Sequence, residues 1–389
     1  MSRALVESWL RRGLKAVDPE TLARQALSGR EGPLTVIAIG KAAPAMCRGA
    51  DTAVGEVSGL CISNHAAAVP NGVELIVGDH PIPGPNSLRA GRRALQMAPQ
   101  ADIALLSGGG SALCEVPAAG VTMRFLASVH KALVDGGASI EETNLVRAHL
   151  SRIKGGGLGP LPTYVLSDVS GLGPGVVASG PTIPCSPDPD RVLEIMRRHG
   201  VEAGNAIVEV VHRRGAPGPM PEIVEVIGDG RLAALGVAAA AKEAVVRSAV
   251  RNGWINGPLG SALQDFIAEA PPGVTVAAGE PDLDAHGGRG GRNSHAALLA
   301  SNQIAGSDWM FAAFATDGVD GHSDAAGAIV DGTTRQRGGD ATTALMHFDS
   351  AAYLETTGDL IRTGPTGTNV ADLWLIWKPE ERSEPILSS

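Results

Sequence analysis

Short apolar runs ending in glycine or in turn residues alternate along this chain with stretches of helical periodicity. Residues 103–106 form a continuous apolar run and 34–39 (LTVIAI) a nearly continuous one, the pattern of strands buried on both faces, and 60–63, 73–77 and 164–166 read as further strands. Helical patterns lie between them at 41–50, 87–98, 122–136, 143–154 and 190–199. At the N-terminus, Leu5, Trp9, Leu10 and Leu14 recur at helical spacing among charges and predict an amphipathic helix. Strands alternating with helices predict a parallel, doubly wound α/β sheet. Pro217, Pro219 and Pro221 alternate with small residues and can form neither helix nor central strand, so a linker is expected at 215–221. Beyond it the pattern restarts: strand 222–227, an Ala-rich helix 232–250, strand 274–278, helix 294–303, strand 310–315 and a terminal strand 373–377. Two domains follow, 1–218 and the smaller 222–389.

Several strand ends carry residues suited to chemistry. Gly108, Gly109 and Gly110 stand between Ser107 and Ser111 directly after strand 103–106. Three missing Cβ atoms allow positive φ and bring N–H groups close to an anion, so the turn reads either as a phosphate cradle or as a plain strand-to-helix turn. On a helix over 143–154, Asn144, Arg147, Ser151 and Lys154 share one face, either a cationic ligand face or a solvated one. Asp168 follows strand 164–166, where doubly wound sheets carry ligand-binding groups, or it caps the next turn. Loop 287–293 (GGRGGRN) combines glycines, Arg289 and Arg292 with a helix start capped by Asn293. Fixed charge and a helix N-terminus make an anion site there, the alternative being a surface loop. Asp317, Asp320 and Asp324 cluster after strand 310–315, suited to Mg²⁺ or to a set of Asx-turns.

Composition narrows the function. Aromatic residues are only 3% against 44% hydrophobic, so the cores must be built from Ala, Val, Leu and Ile. A net charge of -9 with no basic block argues against a nucleic-acid partner. Cys47, Cys61, Cys114 and Cys185 lie far apart, without zinc-site spacing, and read as reduced, mostly buried thiols. With no signal-peptide core and no apolar run near ~18 residues, a cytoplasmic protein without a membrane partner is expected. A homodimer is compatible with the sequence.

No G-x-x-x-x-G-K-[ST], no G-x-G-x-x-G after a strand and no G-x-S-x-G is present, which disfavours Walker-type ATPases, dinucleotide-fingerprint dehydrogenases and α/β hydrolases. Eight stretches, taken in order, resemble the glycerate 2-kinase family, the two-domain type with a C-terminal MOFRL domain. They are GKAA (40–43), HPIP (80–83), SGGGSAL (107–113), NLVRAHLSRIKGG (144–156), SDV with ASGP (167–169, 178–181), GRGGRN (288–293), TDGVDG with DAAG (316–321, 324–327) and GPTGTNVAD (364–372). The resemblance implies a Rossmann-like N-terminal domain, a smaller C-terminal α/β domain and an active site in the cleft between them. It implies ATP-dependent phosphorylation of D-glycerate at its 2-hydroxyl, with Mg²⁺, to give 2-phosphoglycerate and ADP. The family's essential lysine falls on Lys41 and the arginine of its GGRN loop on Arg292, two cations suited to phosphoryl transfer. Nucleotide binding is then expected at Ser107, Gly108, Gly109, Gly110, Ser111, Lys154 and Asp168, and substrate binding at Asn144, Arg147, Arg289 and Asn293. The metal is expected at Asp317 and Asp320. The chain departs from the family pattern at Ala148 and in the SGLGPG loop after Asp168, which leaves a related hydroxy acid as an alternative substrate. Hydroxypyruvate reduction is the alternative reaction, opposed by the missing dinucleotide fingerprint.

Overall fold

The structure, a computed structural model, describes residues 1–380 except Ser170, Val245 and His286. The chain forms two compact units, Asp18–Gly228 and a second made of Met1–Val17 with the chain from Asp229 onward.

In the Asp18–Gly228 unit, β1 (Leu34–Ile39), β2 (Val57–Ser63), β3 (Gly72–Val77), β4 (Ile103–Ser107), β5 (Thr163–Leu166) and β6 (Val224–Gly228) form one six-stranded sheet. All its pairings are parallel and the order is β3-β2-β1-β4-β5-β6. This is the strand order of doubly wound dinucleotide-binding sheets, and its direction reverses between β1 and β4. Every residue of β4 is buried, because neither face nor edge of this central strand meets water. Ile37, Ile39, Leu60, Ile62 and Leu106 build the core on this sheet with Ala90 and Ala94 of helix Pro85–Met97. A separate core of Leu126, Val129, Leu133, Val146, Leu150, Val192 and Ile195 joins helices Met123–Asp135, Ile140–Leu150 and Pro189–Arg198.

The second unit carries β7 (Ser248–Val250), β8 (Gly273–Gly279), β9 (Met310–Ala315), β10 (Gly327–Asp331), β11 (Leu360–Ile361) and β12 (Asp372–Lys378) in the order β11-β10-β9-β12-β8-β7. Only β7 and β8 run parallel, so this sheet is mixed. Phe266, Phe311 and Trp374 meet edge-to-face at its centre, with centroids 5.7 to 6.3 Å apart, a concentrated use of the few aromatics.

Three expectations are corrected. Val224 of β6 pairs with Thr163 of β5, so the strand expected to open the second domain completes the first sheet, and 215–221 is a loop within that unit. The N-terminal helix Arg3–Ala16 belongs to the second unit, packed on helix Gly230–Glu243. Two glycines permit that approach: a Cβ at Gly13 would stand 2.5 Å from Val237 Cγ2, and one at Gly236 2.6 Å from Ala16 Cβ. The units therefore divide after Val17 and after Gly228, not between 218 and 222. Finally, the Ala-rich helix ends at Glu243 and the tail of the expected 232–250 helix is strand β7. Cys47, Cys61 and Cys114 are buried free thiols and Cys185 is half-buried, as expected. Among the described residues no helix is long and apolar enough to cross a membrane.

Candidate active site

The turns after β1 and β4 meet at the point where the sheet reverses. Gly40 takes φ 131°, and a Cβ there would lie 2.2 Å from Ser107 Oγ, so only glycine fits. The two turns are tied by Lys41 N–H donating to Gly108 O (2.9 Å) and Ala42 N–H donating to Ser107 Oγ (3.1 Å). The Lys41 side chain then runs over Gly109, which has φ 79°. A Cβ on Gly109 would stand 3.1 Å from Lys41 Cγ and 3.6 Å from His80 Nε2. Burial and the nearby Lys41 charge lower the His80 pKa, which favours the neutral ring. His80 lies in the HPIP stretch, but its type alone gave no sign that it stands at the glycine turn.

From that turn a hydrogen-bonded chain leads to helix Ile140–Leu150. Ser179 Oγ donates to Asn144 Oδ1 (2.7 Å), which fixes Ser111 as the donor to Ser179 Oγ (2.8 Å), and Asn144 Nδ2 donates to Val176 O (3.1 Å). Ala178 and Ser179 hold φ 53° and 61°, left-handed values that non-glycine residues adopt at a cost and that collect at functional sites. Asp168 is half-buried just beyond the end of β5, next to β4.

The cationic face expected over 143–154 is only partly realised. The helix stops at Leu150, and Ser151 is extended with φ -122°. Asn144 and Arg147 are on the helix, whereas Lys154 lies beyond it, 1% exposed, with Nζ donating to Cys114 O (2.8 Å). Burial lowers the Lys154 pKa, and the charge of buried Glu115 opposes that shift. Lys154 is thus an internal cation and not part of a ligand-facing row. Periodicity could not reveal this, because a hydroxyl residue such as Ser151 is compatible with both helix and helix end.

In the second unit, the arginine loop opens helix Arg292–Gln303, whose N-cap is Gly291; Asn293 is a buried first-turn residue, not the cap. Asp320, 3% exposed, accepts from the N–H groups of Gly291 (3.1 Å), Asn293 (2.9 Å) and Ser294 (2.7 Å). The anion at this helix start is therefore the chain's own carboxylate. Arg292 turns instead to Asp372 Oδ2 through Nε (3.1 Å) and to Glu280 Oε1 through Nη2 (3.1 Å). Burial, with the charges of Glu280 and Asp320, pushes the Asp372 pKa up to about 7 against the opposing effect of Arg292. Both carboxylates escaped sequence reasoning, although Asp372 closes the GPTGTNVAD stretch. Arg289 Nη2 pairs with Asp324 (3.0 Å) and Glu355 (2.9 Å), which Arg362 also bridges, in an exposed surface network. Asp317 is half-buried after β9, accepting from Val319 N–H (3.1 Å) through Oδ1 and from Thr366 N–H (3.2 Å) through its carbonyl. Among the described residues no three His, Cys, Asp or Glu side chains gather as a metal cluster.

Fold and strand-end loops define a two-unit α/β protein with glycine-rich turns bearing fixed cations. The chain belongs to the glycerate kinase family. Residues 5–212 match a family described as a domain of unknown function, DUF4147, and residues 273–372 match the MOFRL family. The D-glycerate 2-kinase of Thermotoga maritima is 31% identical over 94% of this chain and 95% of its own length. The glycerate 2-kinase of Pyrococcus horikoshii is 32% identical over 87% and 86%. A relative from Agrobacterium vitis, 35% identical over 88% and 98%, is named as a candidate hydroxypyruvate reductase. The crystal structure of a glycerate kinase from T. maritima superimposes with a TM-score of 0.83 at 30% identity, covering 96% of this chain and 98% of that one.

Proposed function

We propose that this chain transfers the terminal phosphoryl group of ATP to the 2-hydroxyl of D-glycerate, releasing 2-phosphoglycerate and ADP. The observation that carries this reading is the course of Lys41 across Gly109 at the reversal between β1 and β4, where doubly wound sheets bind phosphorylated ligands. Phosphoryl transfer needs little covalent help from a protein and much positioning and charge stabilisation. Lys41 supplies a cation for the transferring group, and backbone N–H groups of the Ser107–Ser111 turn suit the nucleotide phosphates. Asp168 borders the same strand ends. Arg292, held between Glu280 and Asp372, is the second cation for the reaction, beside Asn293. Asn144 and Arg147 serve the acid.

Mg²⁺ neutralises phosphate oxygens in such transfers and needs only one or two protein carboxylates. Asp317 fits that task from the turn after β9. Asp320 does not, since both of its oxygens accept backbone N–H groups of helix Arg292–Gln303. Lys154 and Arg289 act at one remove, through an internal field and a surface ion network.

The protein with ATP, Mg²⁺ and D-glycerate is expected to release ADP in proportion to D-glycerate consumed, and absence of ADP release overturns the proposal. The turn after β1 reads GKAA, without the glycines that let a dinucleotide pyrophosphate approach, so no NADH oxidation is expected on adding hydroxypyruvate.

A further inference from the structure

Near Arg147 lies a knot of buried charge. Glu115 and Lys154 are each 1% exposed. Glu115 Oε1 accepts from Val116 N–H (2.9 Å) and from the Ser151 hydroxyl, and Lys154 is occupied by the Cys114 carbonyl. Arg147, in the last turn of helix Ile140–Leu150, is half-buried, and its guanidinium meets a neutral partner. Nη2 donates to the ring of His130 on helix Met123–Asp135, with Nδ1 the nearer nitrogen. Among the described residues no carboxylate stands within ion-pair distance of Arg147; Glu115 acts on it only at longer range.

Arg147 and Lys154 thus both depend on Glu115, whose own pKa burial raises, and among the described residues a guanidinium with five N–H donors has a single ring as its side-chain partner. A half-buried cation without an ion-pair partner keeps unmet charge, so the arrangement is suited to receiving an anion. The partner's neutrality matters. Burial, with the charges of Arg147 and Lys154, brings the His130 pKa down to about 4, so the ring remains an acceptor at neutral pH. A carboxylate in its position would orient Arg147 but also neutralise it; an imidazole orients without competing for the charge. One turn earlier on the same helix, Asn144 is linked through Ser179 to Ser111 of the glycine turn, and the His130 ring lies near enough to His80, which stands at Gly109, to feel its charge.

We propose that Arg147 is the receptor for the carboxylate of a small 2-hydroxy acid, and that His130 is the positioning residue that sets its guanidinium for that carboxylate. The assignment rests on the kinase reading for the identity of the acid. It is tested by steady-state kinetics and by calorimetric binding of D-glycerate, without nucleotide, to the full chain. His130→Phe is expected to raise KM for D-glycerate and weaken its binding about 10-fold to 100-fold while KM for ATP stays unchanged. His130→Asn, which keeps an acceptor near the Nδ1 position, is expected to recover most of that loss. Arg147→Lys, which keeps the charge but not the planar fork, is expected to behave like His130→Phe, and Arg147→Gln, which removes the charge, is expected to erase the preference for D-glycerate over its neutral amide. A rise in KM for ATP alone would assign the cluster to nucleotide phosphate and overturn the proposal, as would equal behaviour of the Phe and Asn variants. If the wild-type protein binds D-glycerate but forms no phosphoglycerate, the kinase reading fails, and the binding comparison still decides the receptor.

Discussion

Lys41 reaches the end of the sheet along the face of Gly109, where a Cβ would stand 3.1 Å from its Cγ and 3.4 Å from its Cε. The glycine therefore serves the lysine as much as it serves the turn. Gly109→Ala must hold a side chain at φ 79° and push Lys41 aside, so a stability loss of about 1 to 3 kcal/mol is expected together with a fall in kcat. Lys41→Met is expected to lower kcat about 100-fold to 1000-fold with little change in Tm. Circular dichroism melts and ADP release on the two variants separate these effects; a Lys41→Met protein with wild-type kcat would remove Lys41 from the chemistry.

Asp320 is a structural anion on the geometry described above. Its replacement by alanine leaves the buried N–H groups at the start of helix Arg292–Gln303 without acceptors, and a loss of about 2 to 4 kcal/mol is expected. Thermal melts with and without Mg²⁺ and ATP should show the same loss. A metal ligand would behave differently, leaving the metal-free Tm near that of wild type and abolishing the Mg²⁺-dependent increase.

Asp372 gives a pH dependence whose sign is fixed. Its ordinary value is 3.8 and in the fold it is pushed up to about 7, chiefly by burial. Between these values the folded state holds a proton that the unfolded chain has released. The stability linked to this group is thus full below about pH 4 and lost as pH rises through about 7. Asp372→Asn cannot ionise, and Arg292 retains Glu280 as a partner in it. The difference in Tm between variant and wild type should therefore shift in the variant's favour from pH 5 to pH 8. A difference that stays constant would mean that Asp372 is ionised throughout.

Much of the first unit was legible because its determinants are local. Continuous apolar runs at β1 and β4, each ending in glycine, locate the strand ends and the Lys41 and Ser107–Ser111 turns without tertiary information. What escaped depends on long-range pairing. The strand β6 follows a proline-rich loop yet hydrogen-bonds to β5, and helix Arg3–Ala16 joins helix Gly230–Glu243, more than two hundred residues on, through a two-glycine contact. Side-chain commitments were hidden in the same way. Asp320 and Lys154 have the residue types of ligand groups, but the fold spends the first on helix N–H groups and buries the second against a carbonyl. His130 carries no sequence signal, since a single histidine on an amphipathic helix gives no hint of the arginine it meets.

The most direct measurement is the identity of the phosphorylated product formed from D-glycerate and ATP, read by phosphorus and carbon NMR on the completed reaction. The account predicts 2-phosphoglycerate with one ADP per product molecule, and loss of that product in Lys41→Met. Formation of 3-phosphoglycerate, or D-glycerate left unphosphorylated, would contradict it.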